Sequence, residues 1–494
     1  MTTFRLSDLV ANPQRGLAAL CLAQIAFWTL APTLSYDAPP YDVVENQVWG
    51  AEWVFGTYKH PNFPGWLLEI SRRLTGAIGW PAYLMSQIAI TATFVFVYLL
   101  GRGPLGERGA LAGALLLTFN YYFGWHTPEF NHDILLMPLW AAVALSLWRA
   151  VETGKTAWWI ALGLTAALGL YAKLAAGIEL ICAALWILGD AKARARLAAR
   201  GPWIALAVFF GCVSPLAFWM LKSHFSGLAY AVHRGHGHGK SSLTFIALES
   251  GIAATAFTVL ACARTGADEK AGHATEIKPD QRFMWFLAMM TLGPLMLTAL
   301  LAAINHTGAR LMWGVPMLSF TGLLAVALLA PNLNAPTLKR LLAATAAVLI
   351  ILPVAHALTT YAWPAISKKP RRENWPQAEI SAALRKAYED EVGRPPTIIA
   401  GEIGNWLSGL VAVSGTKMLP VYTNADQALS PWITPDRLAT EGALVVWDEH
   451  NGGPGNLETL IGSNERHVMT FAIPRAGSGK PAISAGYAIV RPQK

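Results

Sequence analysis

Apolar residues along this chain come in blocks of about twenty, the length that spans a bilayer's hydrocarbon core, with short polar connections between them. Eleven blocks lie near 16–35, 79–100, 109–126, 132–149, 157–172, 174–189, 203–222, 243–263, 283–304, 311–330 and 341–361. The fifth and sixth nearly touch at Lys173 and read as a tightly reversing hairpin. Beyond the last block, Pro, Gly and charges interleave with short β-type runs. A helix-like stretch, 376–392, precedes TIIAGE, MLPVYT, ALVVWDE, HVMTFAI and GYAIVRP. This strand–helix–strand order predicts a small α/β domain over 362–494, long enough for its own core. The pattern therefore predicts a polytopic α-helical membrane protein with about 11 transmembrane helices over 1–361, a long first loop at 36–78, and a C-terminal α/β domain.

Composition agrees. Hydrophobic residues make up 54% of the 494, and Asp, Glu, Lys and Arg only 14%, against roughly 25% charged in a soluble domain. A soluble enzyme, a disordered chain and a disulfide-stapled secreted fold are excluded. A net charge of +8 would suggest nucleic acid in a soluble protein. Here the basic residues sit mostly in short loops, where they set orientation, and no nucleic-acid partner is expected. Sixteen Lys and Arg, from Arg5 to Arg340, share the N-terminal side, against eight opposite: Lys59, Arg72, Arg73, Lys173, Lys222, Arg234, Lys240 and Arg310. That bias places the N-terminus in the cytoplasm and everything after about 362 outside. Cys21, Cys182, Cys212 and Cys262 all fall inside apolar blocks and read as small buried hydrophobes. The first block lacks a signal-peptide cleavage pattern and reads as a retained span.

The polar residues of interest gather on the outer side. In the first loop, Trp49, Trp53 and Trp66, with Leu67, Leu68 and Ile70, suit helices lying in the membrane interface. Asp42, Glu45, Lys59 and His60 sit among them, although charges there can also simply face water. The second outer loop ends in PEFNHD, placing Glu129, His132 and Asp133 at the mouth of the fourth span. An acid there can serve as a cap or complement the helix dipole. Lys173, in GLYAKLAAG, is costly between two apolar runs unless it snorkels to the interface, and such residues usually mark function. The loop HFSGLAYAVHRGHGHGK carries His224, His233, His236 and His238, but its glycine spacing fixes no ligand geometry. Loose backbone with Arg234 and Lys240 suits a phosphate clamp at least as well, and a solvated loop better still. Arg310 is a further base at the outer interface. Glu179 and Glu249 fall inside spans and read as a polar relay or as cross-helix pairs.

Acids from two loops and several bases at lipid depth suit the cleavage of a sugar from a lipid phosphate. An acid orients or deprotonates the acceptor hydroxyl, while Lys, Arg, His or a metal stabilises the phosphate that leaves.

These residues also carry a resemblance. DVVENQVWGAEWVFGTYKHPNFPGW resembles the first-loop motif of the GT-C membrane glycosyltransferases, an acid-rich start followed by a K-P or H-P-P turn. FNHDILLMPLW is similar to their second-loop acid before an apolar helix, and GLYAKLAAG to their lysine motif. Relatives of this kind include the lipid A aminoarabinose transferases and the dolichyl-phosphate-mannose protein mannosyltransferases. The nearer likeness is to the bacterial branch with rhizobial galacturonosyltransferases. The resemblance implies a GT-C fold in a bacterial inner membrane, with active site and C-terminal domain in the periplasm. It also implies inverting transfer of a sugar from undecaprenyl phosphate to a lipid or glycan acceptor (lipid A, core oligosaccharide, another lipid) or to protein. Asp42 takes the first-loop acid's place, with Glu45 beside it, and Asp133 that of the second-loop acid. Lys59 and Lys173 match the lysines that hold the donor phosphate; His60, Arg234 and Arg310 are added to them from their position alone. Asp42 and Asp133 are also the candidates for a divalent metal, Mg, Mn or Zn. KHPN stands where relatives often have H-P-P, and the acids are spaced D-x-x-E, so Asp42 and Glu45 both stay open as the main acid. The rival functions are a transporter or flippase of lipid-linked sugars, and a scaffold whose tail recruits a partner.

Overall fold

The computed structural model describes residues 6–265, 280–330, 333–367, 371–402, 406–415, 418–476 and 482–493. Among them, seven helices are long and apolar enough to cross a membrane: Pro13–Ser35, Gly79–Gly101, His132–Thr153, Arg200–Lys222, Ser242–Arg264, Gln281–Ile304 and Ala335–Ile366. Shorter apolar helices, Thr156–Ala172, Ala176–Gly189 and Thr321–Leu329, fill in between. The chain is a polytopic helical membrane protein with a C-terminal α/β domain. His132–Thr153 is apolar around most of its circumference and almost wholly buried. A helix that is hydrophobic all round belongs inside the bundle, and this one packs against Gly79–Gly101 and Thr156–Ala172.

Two expected spans come out differently. The block 109–126 forms only Gly106–Leu117, 12 residues or roughly 18 Å, and then stops. The Asn120 side chain accepts from the Tyr122 backbone N–H at 3.0 Å, the local competition with helix that Asn offers. The chain leaves the bundle as a loop that carries Glu129 and Asn131. The block 311–330 is broken into the 3-10 turns Leu311–Gly314 and Met317–Phe320 before Thr321–Leu329 begins. Its helix lies very close to Gly106–Leu117: a Cβ on Gly322 would stand 2.0 Å from the Gly113 carbonyl oxygen.

The bundle has two chemically distinct ends. At one, Arg282 donates to Asp190 at 2.6 Å and to Glu152, while Lys192 reaches Glu152 at 2.8 Å. Arg282 also stacks on Trp148 and Trp186. At the other end lie the first loop, the start of His132–Thr153, Lys173 and the sheet.

The sheet has five strands, β1 (Ile399–Gly401), β2 (Val421–Thr423), β3 (Ala443–Asp448), β4 (Arg466–Phe471) and β5 (Ile483–Val490), in the order β2-β1-β3-β5-β4. β1 pairs parallel with β2 and β3, whereas β5 runs antiparallel to β3 and β4. The helix Gln377–Val392 covers it together with Trp406–Val413. Its core is shared with the first loop: Ala38, Val44, Val48 and Trp49 pack with Leu384, Leu410, Val446 and Ile489. Trp49, expected at the lipid interface, is therefore 4% exposed, because the C-terminal domain covers the face that sequence alone leaves bare. Trp53 does remain exposed, at 44%.

Candidate active site

The first loop folds as two helices, Tyr41–Ala51 and Phe63–Thr75, joined by a hairpin with a bridge between Gly56 and Pro61. The helices touch backbone to backbone, since a Cβ on Gly50 would stand 2.0 Å from the Gly65 carbonyl oxygen. Asn62 locks the hairpin, donating to the carbonyls of Trp49 at 2.9 Å and Val54 at 3.1 Å. The hairpin thereby holds Lys59 and His60 over the N-terminal half of Tyr41–Ala51, where Asp42 and Glu45 project one turn apart.

Lys59 Nζ lies 2.6 Å from Glu45 Oε1, and the Tyr41 hydroxyl donates to the same oxygen at 3.1 Å. The rings of Tyr41, Trp49, Tyr58 and Tyr230 stand 5.4–5.9 Å from the ammonium. Only 8% of Lys59 is exposed. This aromatic enclosure favours a cation, at roughly 0.5–2 kcal/mol per well-placed ring. Burial, and secondarily the Asp42 charge, pushes the Glu45 carboxyl above its ordinary range, while Lys59 opposes both.

Asp42 is anchored from the loop before His132–Thr153. Its backbone N–H donates to Glu129 Oε1 at 2.9 Å, and Asn131 Nδ2 donates to Asp42 Oδ2 at 3.0 Å. Burial first, and then the Asp42 charge, holds the Glu129 carboxyl well above the usual carboxylate range. Asn131 also caps the helix His132–Thr153, its Oδ1 accepting from the N–H groups of Asp133 and Ile134 at 3.0 Å each. The capping role open to Asp133 thus belongs to Asn131. Asp133 instead meets Lys173 Nζ at 2.6 Å, and both side chains are about nine-tenths buried. Snorkelling does not describe Lys173 either: it sits at the break between Thr156–Ala172 and Ala176–Gly189, 8% exposed and paired.

The rings of His60 and His132 touch, with centroids 4.4 Å apart and planes inclined at 47°, and His132 Nε2 lies 3.1 Å from the Pro61 carbonyl oxygen. Burial, then His132, Lys173 and Lys59 in that order, hold His60 well below the ordinary imidazole range. It faces the site as a neutral ring that offers a hydrogen bond and no charge.

The histidine-rich segment, read from its glycines as a loose loop, is the helix Ser226–His238. Packing overrides the weak propensity of its glycines: Tyr230 stacks edge-on against Tyr58 and His60, and Gly227 rests on the Lys59 carbonyl. The Arg234 side chain lies outside the described residues. Arg310 begins the Leu311–Gly314 turn, beside the Ala309–Lys240 bridge. One residue on, the Leu311 carbonyl oxygen lies 2.9 Å from the Tyr122 hydroxyl, which is also 2.8 Å from Glu249 Oε1; its single proton serves one of the two. Glu249 is therefore a cross-helix partner of Tyr122 and a neighbour of Arg310's turn. Among the described residues, no group of three or more His, Cys, Asp or Glu is placed to hold a metal.

Residues 59–219, which include Lys59, His60, Asp133 and Lys173, match the family model for dolichyl-phosphate-mannose-protein mannosyltransferase. Two crystal structures of ArnT from Cupriavidus metallidurans match over nearly the whole chain. The form bound to undecaprenyl phosphate has a TM-score of 0.62 at 12% identity, covering 95% of this chain and 97% of that one. The apo form has a TM-score of 0.63 at 13% identity, covering 96% and 98%. The chain has the GT-C fold. No curated protein matches it by sequence.

Within the GT-C fold, the structure joins Asp42, Glu45, Lys59, His60, Asp133 and Lys173 into one network and leaves Arg310 on a neighbouring turn. Sequence reasoning missed Asn131 as the link between the two acids, Tyr230 as a wall of the lysine enclosure, and the depth of Glu129's involvement. The Asn before an apolar run was a visible capping signal. Nothing in the sequence pointed to Tyr230, which reaches Lys59 from about 170 residues away along the chain only through tertiary packing.

Proposed function

We propose that this chain is an inverting glycosyltransferase that moves a sugar from undecaprenyl phosphate to an acceptor at the outer face of a bacterial inner membrane. The carrying observation is a pair of buried lysines, Lys59 on Glu45 and Lys173 on Asp133, with Asp42 held by Glu129 and Asn131 of a neighbouring loop. The ArnT likeness and the mannosyltransferase family model support a lipid-phosphate sugar as the donor class.

In this reading, the acceptor oxygen forms a bond to the anomeric carbon while the bond from that carbon to the phosphate oxygen breaks. The bonding pair leaves on the phosphate, and the acceptor's proton passes to the Asp42 carboxylate. Asn131 and Glu129 fix Asp42 so that its free oxygen is aimed before substrate arrives, the preorganisation that makes such groups effective. An ammonium has three N–H donors. Lys59 and Lys173 can each keep the carboxylate that now holds it and still donate to phosphate, neutralising the leaving group in a dry site. Neutral His60 adds a hydrogen bond. Asp133 is engaged by an ammonium and Asp42 by Asn131, so these two residues do not form a ready divalent site, and no step here is routed through a metal.

The test is transfer of label from radiolabelled undecaprenyl-phosphate sugars to a cell-envelope extract, with wild type and Asp42→Asn side by side. Asp42→Asn keeps the side chain's shape and should lower transfer at least 100-fold while undecaprenyl phosphate binding stays unchanged. Near-normal transfer would remove Asp42 from the role of base. Label that crosses vesicle bilayers without being transferred would replace this reading with the transporter.

A further inference from the structure

A short 3-10 turn, Arg372–Asn374, lies between the helix Ala335–Ile366 and the helix Gln377–Val392 of the C-terminal domain. It is bound to the start of the first loop. The Glu373 carbonyl oxygen accepts from the backbone N–H groups of Asp37 at 2.7 Å and Ala38 at 3.1 Å, just before the helix that starts at Tyr41 and carries Asp42 and Glu45. Asn374, wholly buried, donates through Nδ2 to the Thr360 carbonyl at 3.1 Å. Farther along the domain, Arg475 pairs with the Asp37 carboxylate and stands over the Tyr361 ring, 4.6 Å from its centroid. The turn is thereby held across the entry to the helix of the two first-loop acids. From it, the Arg372 guanidinium carbon stands 4.7 Å from the centroid of the Tyr41 ring. That ring also stands 5.4 Å from Lys59 Nζ, and its hydroxyl donates to the Glu45 oxygen that takes Lys59.

We propose that Arg372 is a positioning residue for the transfer: it fixes the Tyr41 ring so that the Tyr41 hydroxyl holds Glu45, and Glu45 holds Lys59, before the donor binds. The assignment rests on the glycosyltransferase reading above, and it makes the turn that leads into the C-terminal domain part of the active site. Three observations carry it. First, the negative face of an aromatic ring attracts a cation that lies over it, so a guanidinium anchored through Glu373 and Asn374 restrains the swing of the Tyr41 side chain. Without that restraint the hydroxyl has no fixed aim at Glu45 Oε1, and the lysine loses one of its two stated holds. Second, Arg372 stands over a ring that already serves Lys59, and two like charges on one ring repel. An arginine that only tied the domain down would sit better elsewhere, as its neighbour Arg371 does over Trp363, 4.5 Å from the ring centroid. Third, Glu129, which accepts from the Asp42 N–H, also feels the Arg372 charge. Burial and the Asp42 charge push its carboxyl up, and Arg372 opposes them. Arg372 thus bears on both first-loop acids, on Glu45 through Tyr41 and on Asp42 through Glu129. Placing reacting groups before substrate arrives is how a residue that touches no substrate raises turnover.

The experiment uses the full chain in nanodiscs, with radiolabelled undecaprenyl-phosphate sugars and a cell-envelope extract for transfer, and undecaprenyl phosphate for binding. Arg372→Gln should lower turnover at saturating donor at least tenfold, with undecaprenyl phosphate affinity within threefold of wild type. Arg372→Lys, which keeps a charge over the ring, should recover at least threefold of that loss. Arg371→Gln, one residue away on Trp363, should stay within twofold of wild type. Tyr41→Leu should lose at least as much turnover as Arg372→Gln, and adding Arg372→Gln to it should change turnover less than twofold, because no ring is left to hold. Near-normal turnover in Arg372→Gln overturns the role, as does an equal loss in Arg371→Gln, which would mark the turn as a tether only. Losses that multiply in the Tyr41→Leu background overturn the route through Tyr41. Tenfold weaker undecaprenyl phosphate binding in Arg372→Gln overturns positioning and makes Arg372 a phosphate ligand. A wild type that neither binds undecaprenyl phosphate nor transfers from any donor overturns the glycosyltransferase reading itself, and the role of Arg372 with it.

Discussion

Replacing Lys173 by Met should do more harm than replacing Lys173 and Asp133 together. Lys173 Nζ and Asp133 Oδ1 are 2.6 Å apart with both side chains about nine-tenths buried. At an effective dielectric near 20, Coulomb attraction at that distance is about 6 kcal/mol. Desolvating the two ions costs several kcal/mol each, so the intact pair adds little net stability. Removing one partner is different: it strands the other as a buried charge, at about 3–5 kcal/mol. Lys173→Met and Asp133→Leu should each lower the melting temperature of the purified protein by several degrees, and the double variant should recover more than half of either loss. The cycle should return a coupling of about 2–4 kcal/mol, within the range set by breaking a buried pair. Transfer should fall at least 100-fold in all three, because none keeps the intact pair. Additive losses, with coupling below about 0.5 kcal/mol, would refute the buried pair and with it the placement of Lys173 in the site.

Asn131→Ala removes a cap and the hydrogen bond to Asp42 together. Thermal unfolding should show a loss of about 1 kcal/mol, with kcat lowered tenfold or more and donor affinity unchanged; Asn131→Asp should rescue the cap but not the turnover. Glu129 carries a raised carboxyl, so the folded state holds its proton more tightly than the unfolded chain. Its stabilising contribution is full below the ordinary carboxylate range and lost as pH rises through the raised value. Glu129→Gln, which keeps an acceptor for the Asp42 N–H, should flatten that alkaline-side decline in a melting-temperature series against pH. A chelator should leave wild-type transfer within twofold, because Lys173 already occupies the Asp133 carboxylate; a tenfold loss restored by Mg, Mn or Zn would overturn this.

The helical membrane architecture and the C-terminal α/β domain were legible in the chain alone. Twenty-residue apolar runs can satisfy their backbone in lipid only as helices, and the five β-type runs near the C-terminus each became a strand. Asp42, Glu45, Lys59, Asp133 and Lys173 were also visible, because a charge at lipid depth is too costly to keep without a use. The partners of those charges were not visible. Lys59 could have met phosphate, water or any acid; only the hairpin closed by Asn62 sets it on Glu45. A cap was the alternative open to Asp133; Asn131 takes that role and leaves Asp133 to Lys173, 40 residues away. Short apolar runs hid the early stop at Leu117 and the break before Thr321, because hydropathy measures transfer into lipid and not where a side chain such as Asn120 competes for the backbone. Trp49 shows the same limit: an aromatic at a predicted interface is indistinguishable in sequence from one beneath a domain that folds back hundreds of residues later. Pairing and burial both depend on contacts between segments far apart in the chain, and such contacts come into being only when the bundle and the C-terminal domain pack together.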